Sequence, residues 1–496
     1  MKSPSAIVIG AGIGGIAAAA HLAQRGIHVT VFEKNQHPGG RCDHFVRDGH
    51  KFDTGPTLLI MPKVYEDEFA ALGASLRERL ELQRVDPTYH LVFDDGSQLA
   101  LTSDLTRMYE QLEAIEPNSF QSFLQYMKEG GKHYRLAIDQ LVEPDFRTAS
   151  EFFTLGNLSL LFRLKAIIPH YQHLSRFFRH PHLRAAFTFQ DVYMGLSPFE
   201  APSTFSMMPY TELAHGVWYP KGGMSCVVAA LMDIAQQAGV EFEFNSPVAR
   251  IDVEQNRACG VTLVDGNRHS ADIVLANADL PYVYEHLLPE TNLAKQLSRK
   301  YYSCSVISFF WGVDKSYPAI APHTLFLAED YRANFDSIKC LGFPENPSLY
   351  VHAPTRLDPS FAPPGQETLV AIIPVGHLDD AGDQDWGDIR NRARAAVFNR
   401  LATLGISDLE AHVKFEVNYT PLSWQKRYNL MKGSTHGLAH TLTQLGYFRP
   451  HNRHPRYHNL YFVGASTHPG TGVPTALISA HQAADRIVDE LPLDSR

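Results

Sequence analysis

Cysteine is scarce and scattered. Cys42, Cys226, Cys259, Cys304 and Cys340 are the five in 496 residues, and no two form a C-x-x-C pair. That spacing excludes a disulfide framework, a structural zinc site and a dithiol flavoenzyme of the disulfide-reductase kind. A basic excess is missing too. The 44 Lys and Arg stand against 53 Asp and Glu, a net charge of −9, which argues against general nucleic-acid binding. No run of about 18 apolar residues exists, so no transmembrane helix is expected, although lying on a membrane is not excluded. The first strand pattern opens within about five residues of Met1, so no cleavable targeting segment is expected and a reducing cytosol fits. None of the 25 histidines shows H-E-x-x-H spacing. No metal-ligand, Ser-His-Asp or paired-carboxylate signature names a catalytic machine.

One further absence is local. Residues 152–187 contain no Asp or Glu, yet they carry Arg163, Lys165, Arg176, Arg179 and Arg184. Leu160, Leu164, Ile167, Tyr171, Leu174 and Phe178 recur there at helical spacing. Pro169 should split the run into two shorter helices. An apolar stripe flanked by basic residues suits an anionic membrane surface. It equally suits a core-packed helical pair with exposed basic residues.

What is present begins at the N-terminus. Ala6-Ile7-Val8-Ile9 reads as a buried strand, followed by Gly10-Ala11-Gly12-Ile13-Gly14-Gly15 and a helical run over 16–24. This is G-x-G-x-x-G in its mechanical context of strand, tight turn and helix start. Gly10 permits the turn, Gly12 lets backbone approach a pyrophosphate, and Gly15 lets helix and strand pack closely. The positive end of the helix then faces phosphate. A second strand over 28–32 ends in Glu33, 18 residues beyond Gly15, where a ribose-binding carboxylate belongs, with Lys34 beside it. A dinucleotide site is expected.

FAD is longer than NAD, so several separate chain segments should touch it. Gly39-Gly40-Arg41 offers tight backbone and a charge-assisted fork for phosphate. Phe52-Asp53-Thr54-Gly55-Pro56-Thr57 follows. Two later segments are further candidates: Tyr219-Pro220-Lys221-Gly222-Gly223-Met224, and a strand closing on Gly464 with Gly470-Thr471-Gly472-Val473-Pro474 and a helix from about 475 to 490. That helix start would favour negative charge on a reduced flavin. A second nucleotide fingerprint is absent, so the flavin must be reoxidised by an arriving acceptor, oxygen or a quinone.

These motifs, with Phe448-Arg449-Pro450-His451-Asn452-Arg453 and Gly464-Ala465-Ser466-Thr467-His468-Pro469-Gly470, resemble the bacterial and fungal phytoene desaturases, within the flavin amine-oxidase-like superfamily. Gly216-Val217-Trp218-Tyr219-Pro220-Lys221-Gly222-Gly223 and the segments 349–354 and 358–363 extend the resemblance over nearly the whole chain. It implies FAD, a C40 or C30 polyene substrate, and desaturation by hydride transfer from an allylic C–H. It implies a cytoplasmic protein lying on the membrane, and tips the 151–215 region toward a membrane face. Cofactor contacts are expected from Gly10, Gly12, Gly14, Gly15, Glu33, Lys34, Gly40, Arg41, Gly55, Pro56, Thr57, Gly464, Gly472 and Val473. His468 and Glu151 are the catalytic candidates: His468 by its place in the C-terminal motif, Glu151 where related desaturases carry an acid facing the substrate path. Each has a structural alternative, a hydrogen-bonding histidine and a helix N-terminal acid. Thr154 stands where some relatives carry an arginine, so a mechanism needing that arginine is in doubt. A carotenoid isomerase, oxygenase or late-step desaturase shares the scaffold, as do prenyl-protein-binding relatives and amine oxidases.

The expected fold is α/β, with an α+β substrate part. A discontinuous Rossmann-like FAD domain takes residues 1–80, 216–285 and 456–496. A substrate domain takes 85–150 and 286–455, with a helical membrane-facing region over 151–215. Long helices are expected over 104–142 and 388–404.

Overall fold

The structure, a computed structural model, describes residues 3–289 and 292–491. The extreme ends of the segments 1–80 and 456–496, and the pair 290–291 inside 286–455, lie outside it.

A five-stranded parallel sheet carries the N-terminal crossover. Its order is Leu460–Phe462, Ile273–Ala276, Ser5–Ile9, His28–Phe32, Glu241–Glu243. Strands buried on both faces need continuous apolar runs, which 6–9 and 273–276 supply. Helix Ile13–Gln24 covers one face between helices Val473–Glu490 and Ser225–Gln237. Ala17, Ala18, Ala19 and Ala20 are fully enclosed, and their small side chains let the three helices approach. A three-stranded antiparallel sheet, Val248–Glu254, Arg257–Leu263 and Arg268–Ser270, covers part of the other face.

A second, seven-stranded sheet runs Val413–Tyr419, Ser305–Val313, Glu367–Val375, Leu349–His352, His323–Phe326, Tyr89–Val92, Gln98–Leu101. All its pairs are antiparallel except Tyr89–Val92 with His323–Phe326. Its second strand, Ser305–Val313, buries Phe309, Phe310 and Trp311, and the Trp311 indole N–H donates to Glu416 at 2.9 Å. Helix Trp386–Ala402 packs behind it. The helical stretch expected over 104–142 consists of two helices, Leu105–Ile115 and Ser119–Ala137, then one π turn to Val142. Pro117 lies in the break, where it removes a backbone donor.

The 151–215 region is built from short helices, among them Leu155–Arg163, His170–Leu174 and Pro181–Ala186, with Pro169 at the expected break. Its apolar stripe is mostly core: Leu160, Leu164, Leu174 and Phe178 are fully buried, which corrects their assignment to a membrane face. A different set faces outward. Phe153, Leu155, Leu158, Phe162 and Ile167 are exposed, Leu155 at 88%, with Phe448 beside Phe153. No helix of the described residues is long and apolar enough to cross a membrane.

Candidate active site

The carboxyl ends of parallel strands are where such sheets bind ligands. At the end of Ser5–Ile9, Gly10 turns at φ +98°. A Cβ on Gly12 would lie 2.6 Å from Asn277 Oδ1, and one on Gly15 would lie 2.2 Å from the Gly10 carbonyl oxygen. Gly15 therefore serves helix–strand packing, and it does not line the cavity described below, which corrects its expected place among the cofactor contacts. Gly39 donates its N–H to the Ala11 carbonyl at 2.7 Å, locking the second glycine segment onto the first. A Cβ on Gly55 would lie 1.8 Å from the Arg41 carbonyl oxygen, so only glycine fits.

Glu33 is buried at the strand end. One carboxylate oxygen accepts the Ala11 N–H at 2.8 Å; the other accepts from Asn35 N–H at 2.8 Å and Asn35 Nδ2 at 2.9 Å. A carboxylate has about four acceptor positions, so capacity remains for a ribose hydroxyl. Burial pushes its carboxyl above the usual range, opposed by these hydrogen bonds. Lys34 reaches away to the Lys426 carbonyl at 2.9 Å and Asn429 Oδ1 at 2.7 Å. Arg41 donates to the Thr435 carbonyl at 2.6 Å; enclosure pushes its guanidinium below its usual range, which Asp279 partly offsets.

One cavity of about 620 Å³ joins these groups. Gly10, Gly12, Gly14, Glu33, Lys34, Gly40, Arg41, Gly55, Pro56, Thr57, Gly464, Gly472 and Val473 all line it. Gly472, at φ +119°, opens helix Val473–Glu490, whose N-terminus therefore faces the cavity. From Thr57 the cavity continues into a chamber walled by Tyr89, Val192, Tyr193, Leu325, Phe335 and Tyr350. Its charged lining residues, Glu33, Lys34, Arg41 and Asp279, all stand at the glycine-rich end.

The donor set fits FAD. Backbone close enough to exclude any Cβ suits a pyrophosphate, Glu33 keeps acceptor capacity for a ribose, and the Gly472 helix end suits a ring that gains negative charge. Bound there, FAD supplies the hydride acceptor; the chain supplies the shape and the dipoles.

Three expectations fall elsewhere. Gly222 and Gly223 do not line the cavity. A Cβ on Gly223 would lie 2.4 Å from Asp53 Oδ2, so that glycine admits a carboxylate and not a flavin. Glu151 is exposed, and its carboxylate accepts the Arg147 N–H at 2.8 Å as a helix-start acid does. His468 is buried outside the cavity with Nε2 3.0 Å from the Pro144 carbonyl, and burial pulls it down to about 4, so it is neutral at pH 7. Asn277, Thr435 and His436 line the cavity and were not anticipated. Asn277 had a usable signal, its place just after the strand Ile273–Ala276. Arg449, from the specific C-terminal motif, is fully buried and donates to the carbonyls of Thr467 at 2.9 Å, Leu438 at 3.1 Å and Ala465. It ties the 438–444 segment to the one after Gly464.

A parallel sheet with a glycine-lined groove, joined to a second sheet by one cavity, defines a flavoprotein of the two-domain oxidoreductase class. The chain belongs to the flavin containing amine oxidoreductase family, whose match spans residues 13–488. It is 42% identical to the zeta-carotene-forming phytoene desaturase of Myxococcus xanthus over 97% of this chain and 93% of that one. It is 36% identical to the 4,4'-diapophytoene desaturase (4,4'-diaponeurosporene-forming) of Staphylococcus haemolyticus, over 98% of each. Among solved structures, a triple mutant of putrescine oxidase shares the fold with a TM-score of 0.66 at 15% identity, covering 98% of this chain and 99% of that one.

Proposed function

We propose that this chain is an FAD-dependent carotenoid desaturase that introduces conjugated double bonds into a phytoene- or diapophytoene-type polyene. The observation that carries the reading is the distribution of charge along the cavity. Charged side chains stand only at the dinucleotide end; aliphatic and aromatic side chains make up most of the wall beyond Thr57, and the polar residues Ser308, Asn334 and Ser348 in the lining are uncharged. A polyene hydrocarbon offers no hydrogen-bonding handles, so an apolar chamber must select it by length and shape. The FAD domain is residues 1–80, 216–285 and 456–496; the remainder shapes the chamber and its access. The exposed residues Phe153, Leu155, Leu158, Phe162 and Ile167, with Arg163, Arg176 and Arg179 close in sequence, form the face that rests on lipid. Oxygen or a quinone reoxidises the flavin.

The test is anaerobic. FAD-loaded protein is mixed with phytoene or diapophytoene in liposomes, the flavin absorbance is followed, and the extracted polyenes are analysed. Flavin bleaching with a stoichiometric new conjugated product is the expected result. Unchanged flavin colour with both polyenes intact, in folded and lipid-bound protein, overturns it.

A further inference from the structure

The chamber wall carries a polar seam. Tyr89, on strand Tyr89–Val92, and Tyr193, in the turn Phe189–Met194, both line the cavity, and their hydroxyls are hydrogen-bonded to each other. Behind them, outside the cavity, Glu212 is buried in the one-turn π segment Thr211–His215. Tyr193 donates to Glu212 Oε1 at 2.9 Å, and Gln190 Nε2 donates to Glu212 Oε2 at 3.0 Å. Among the described residues, the partners of the Glu212 carboxylate are Gln190 and Tyr193, and neither is a cation. A buried carboxylate without a cation is costly, and a hydrocarbon substrate makes no use of hydroxyl groups.

The hydrogen-bond order follows from valence. Ionised Glu212 only accepts, so the single proton of Tyr193 points at it. Tyr89 must then donate to the Tyr193 oxygen. Tyr89 and Tyr193 direct their protons toward Glu212 and keep lone pairs for the chamber. The seam also stands close to the cofactor segment: Thr57 Oγ1 is 2.8 Å from the Tyr350 hydroxyl, and the Tyr350 ring lies 6.3 Å from the Tyr89 ring.

We infer that Tyr89, Tyr193 and Glu212 form the proton exit of the reaction, with the two tyrosines touching substrate and Glu212 acting through them. The inference rests on the desaturase reading. A desaturation removes two hydrogens from neighbouring carbons. One leaves an allylic carbon as hydride, with its bonding pair, to the flavin. The other leaves as a proton, and its C–H pair becomes the new π bond. That proton goes to a Tyr89 lone pair as the Tyr89 proton moves to Tyr193 and the Tyr193 proton moves to Glu212, which ends neutral. Reoxidation by a quinone-class acceptor takes up two electrons and two protons, and draws the stored proton back out. Burial raises Glu212 to about 7, so it exchanges a proton at neutral pH. Besides Tyr193, the titratable groups facing the seam among the described residues are Tyr126, from helix Ser119–Ala137, and Tyr350 and His323, both beside Tyr89.

The test uses FAD-loaded protein with polyene liposomes in anaerobic single turnovers across pH, with Tyr193→Phe and Glu212→Gln as variants. In the wild type the rate of flavin bleaching should rise through about pH 7 and then level. Each variant should lose that rise and fall about 10² fold at pH 8, within the usual range for general base catalysis. A second readout needs no substrate. The pH-difference infrared spectrum should show a protonated carboxyl band titrating near pH 7 that Glu212→Gln lacks and Tyr193→Phe, which keeps the ring, still shows shifted. Wild-type rate and pH profile in both variants, with normal flavin content, would overturn the relay alone. Wild-type protein that leaves the polyene unchanged would overturn the desaturase reading beneath it, whatever the infrared band does.

Discussion

The carboxylate of Asp53 and the backbone N–H of Met224, 171 positions apart, meet at 2.9 Å. The same carboxylate accepts the Ser225 N–H at 3.2 Å. Asp53 therefore caps helix Ser225–Gln237 from the far end of the His44–Arg47 and His50–Asp53 hairpin, and joins the two. Burial outweighs these hydrogen bonds and raises its carboxyl from 3.8 to about 6. An acid whose folded value is raised contributes stability that is complete below its unfolded value and lost as pH rises through the folded one. Two units correspond to about 3 kcal/mol. Thermal unfolding from pH 4 to 7 should show the wild type losing stability relative to Asp53→Asn over this window. Parallel curves for the two proteins would remove Asp53 from the account.

Glu33→Ala removes the acceptor proposed for the ribose and frees the Ala11 and Asn35 N–H groups that it holds. A hydrogen bond to a charged group is worth about 1.5–3 kcal/mol, so FAD affinity should fall roughly 10- to 150-fold. Equilibrium dialysis of apoprotein with FAD measures this. Affinity within twofold of the wild type would dissociate Glu33 from the cofactor.

Leu155→Glu and Phe162→Glu place charge on side chains that are 88% and 68% exposed. Neither should shift the folding free energy by more than about 0.5 kcal/mol. On lipid, each loses about 1.5–3 kcal/mol of apolar burial, so flotation with anionic liposomes should drop at least about tenfold. Equal flotation of the wild type and both variants would move the membrane face elsewhere.

Glu151→Gln keeps shape and removes charge at an exposed position. With its carboxylate engaged by Arg147 N–H and absent from the cavity lining, the variant should keep turnover within about twofold and lose at most about 1 kcal/mol of stability. A loss of a hundredfold in single-turnover flavin reduction would bring Glu151 back as a catalytic group.

The crossover was legible because its signals are local. Strand, glycine turn, helix and Glu33 follow one another within 33 residues, and each has a steric reason. Gly464 and Gly472 were legible by the same logic, lying between a strand and a helix. Gly222-Gly223 shows where this logic stops, since a glycine pair reads alike whether it admits a ligand or, as here, a carboxylate from 170 residues away. Periodicity found the helices of 151–215 but not their faces: Leu160 and Phe162, two residues apart, are buried and exposed respectively. The hairpin at Asp48-Gly49 carries a sound turn signal, and both residues adopt positive φ. Its four-residue strands are rich in His, Arg and Lys and lack the apolar alternation that marks a strand. Glu212 had no sequence signal, because its meaning comes from Tyr193 and Tyr89 on two other segments.

The lipid docking proposed for the exposed ridge from Phe153 to Ile167 carries a kinetic consequence. With the ridge on lipid, enzyme and polyene search for each other in two dimensions, and encounter frequency depends on molecules per unit of bilayer area. Adding empty lipid at fixed total substrate would then slow the reaction by surface dilution, while changing the volume of buffer would hardly alter it.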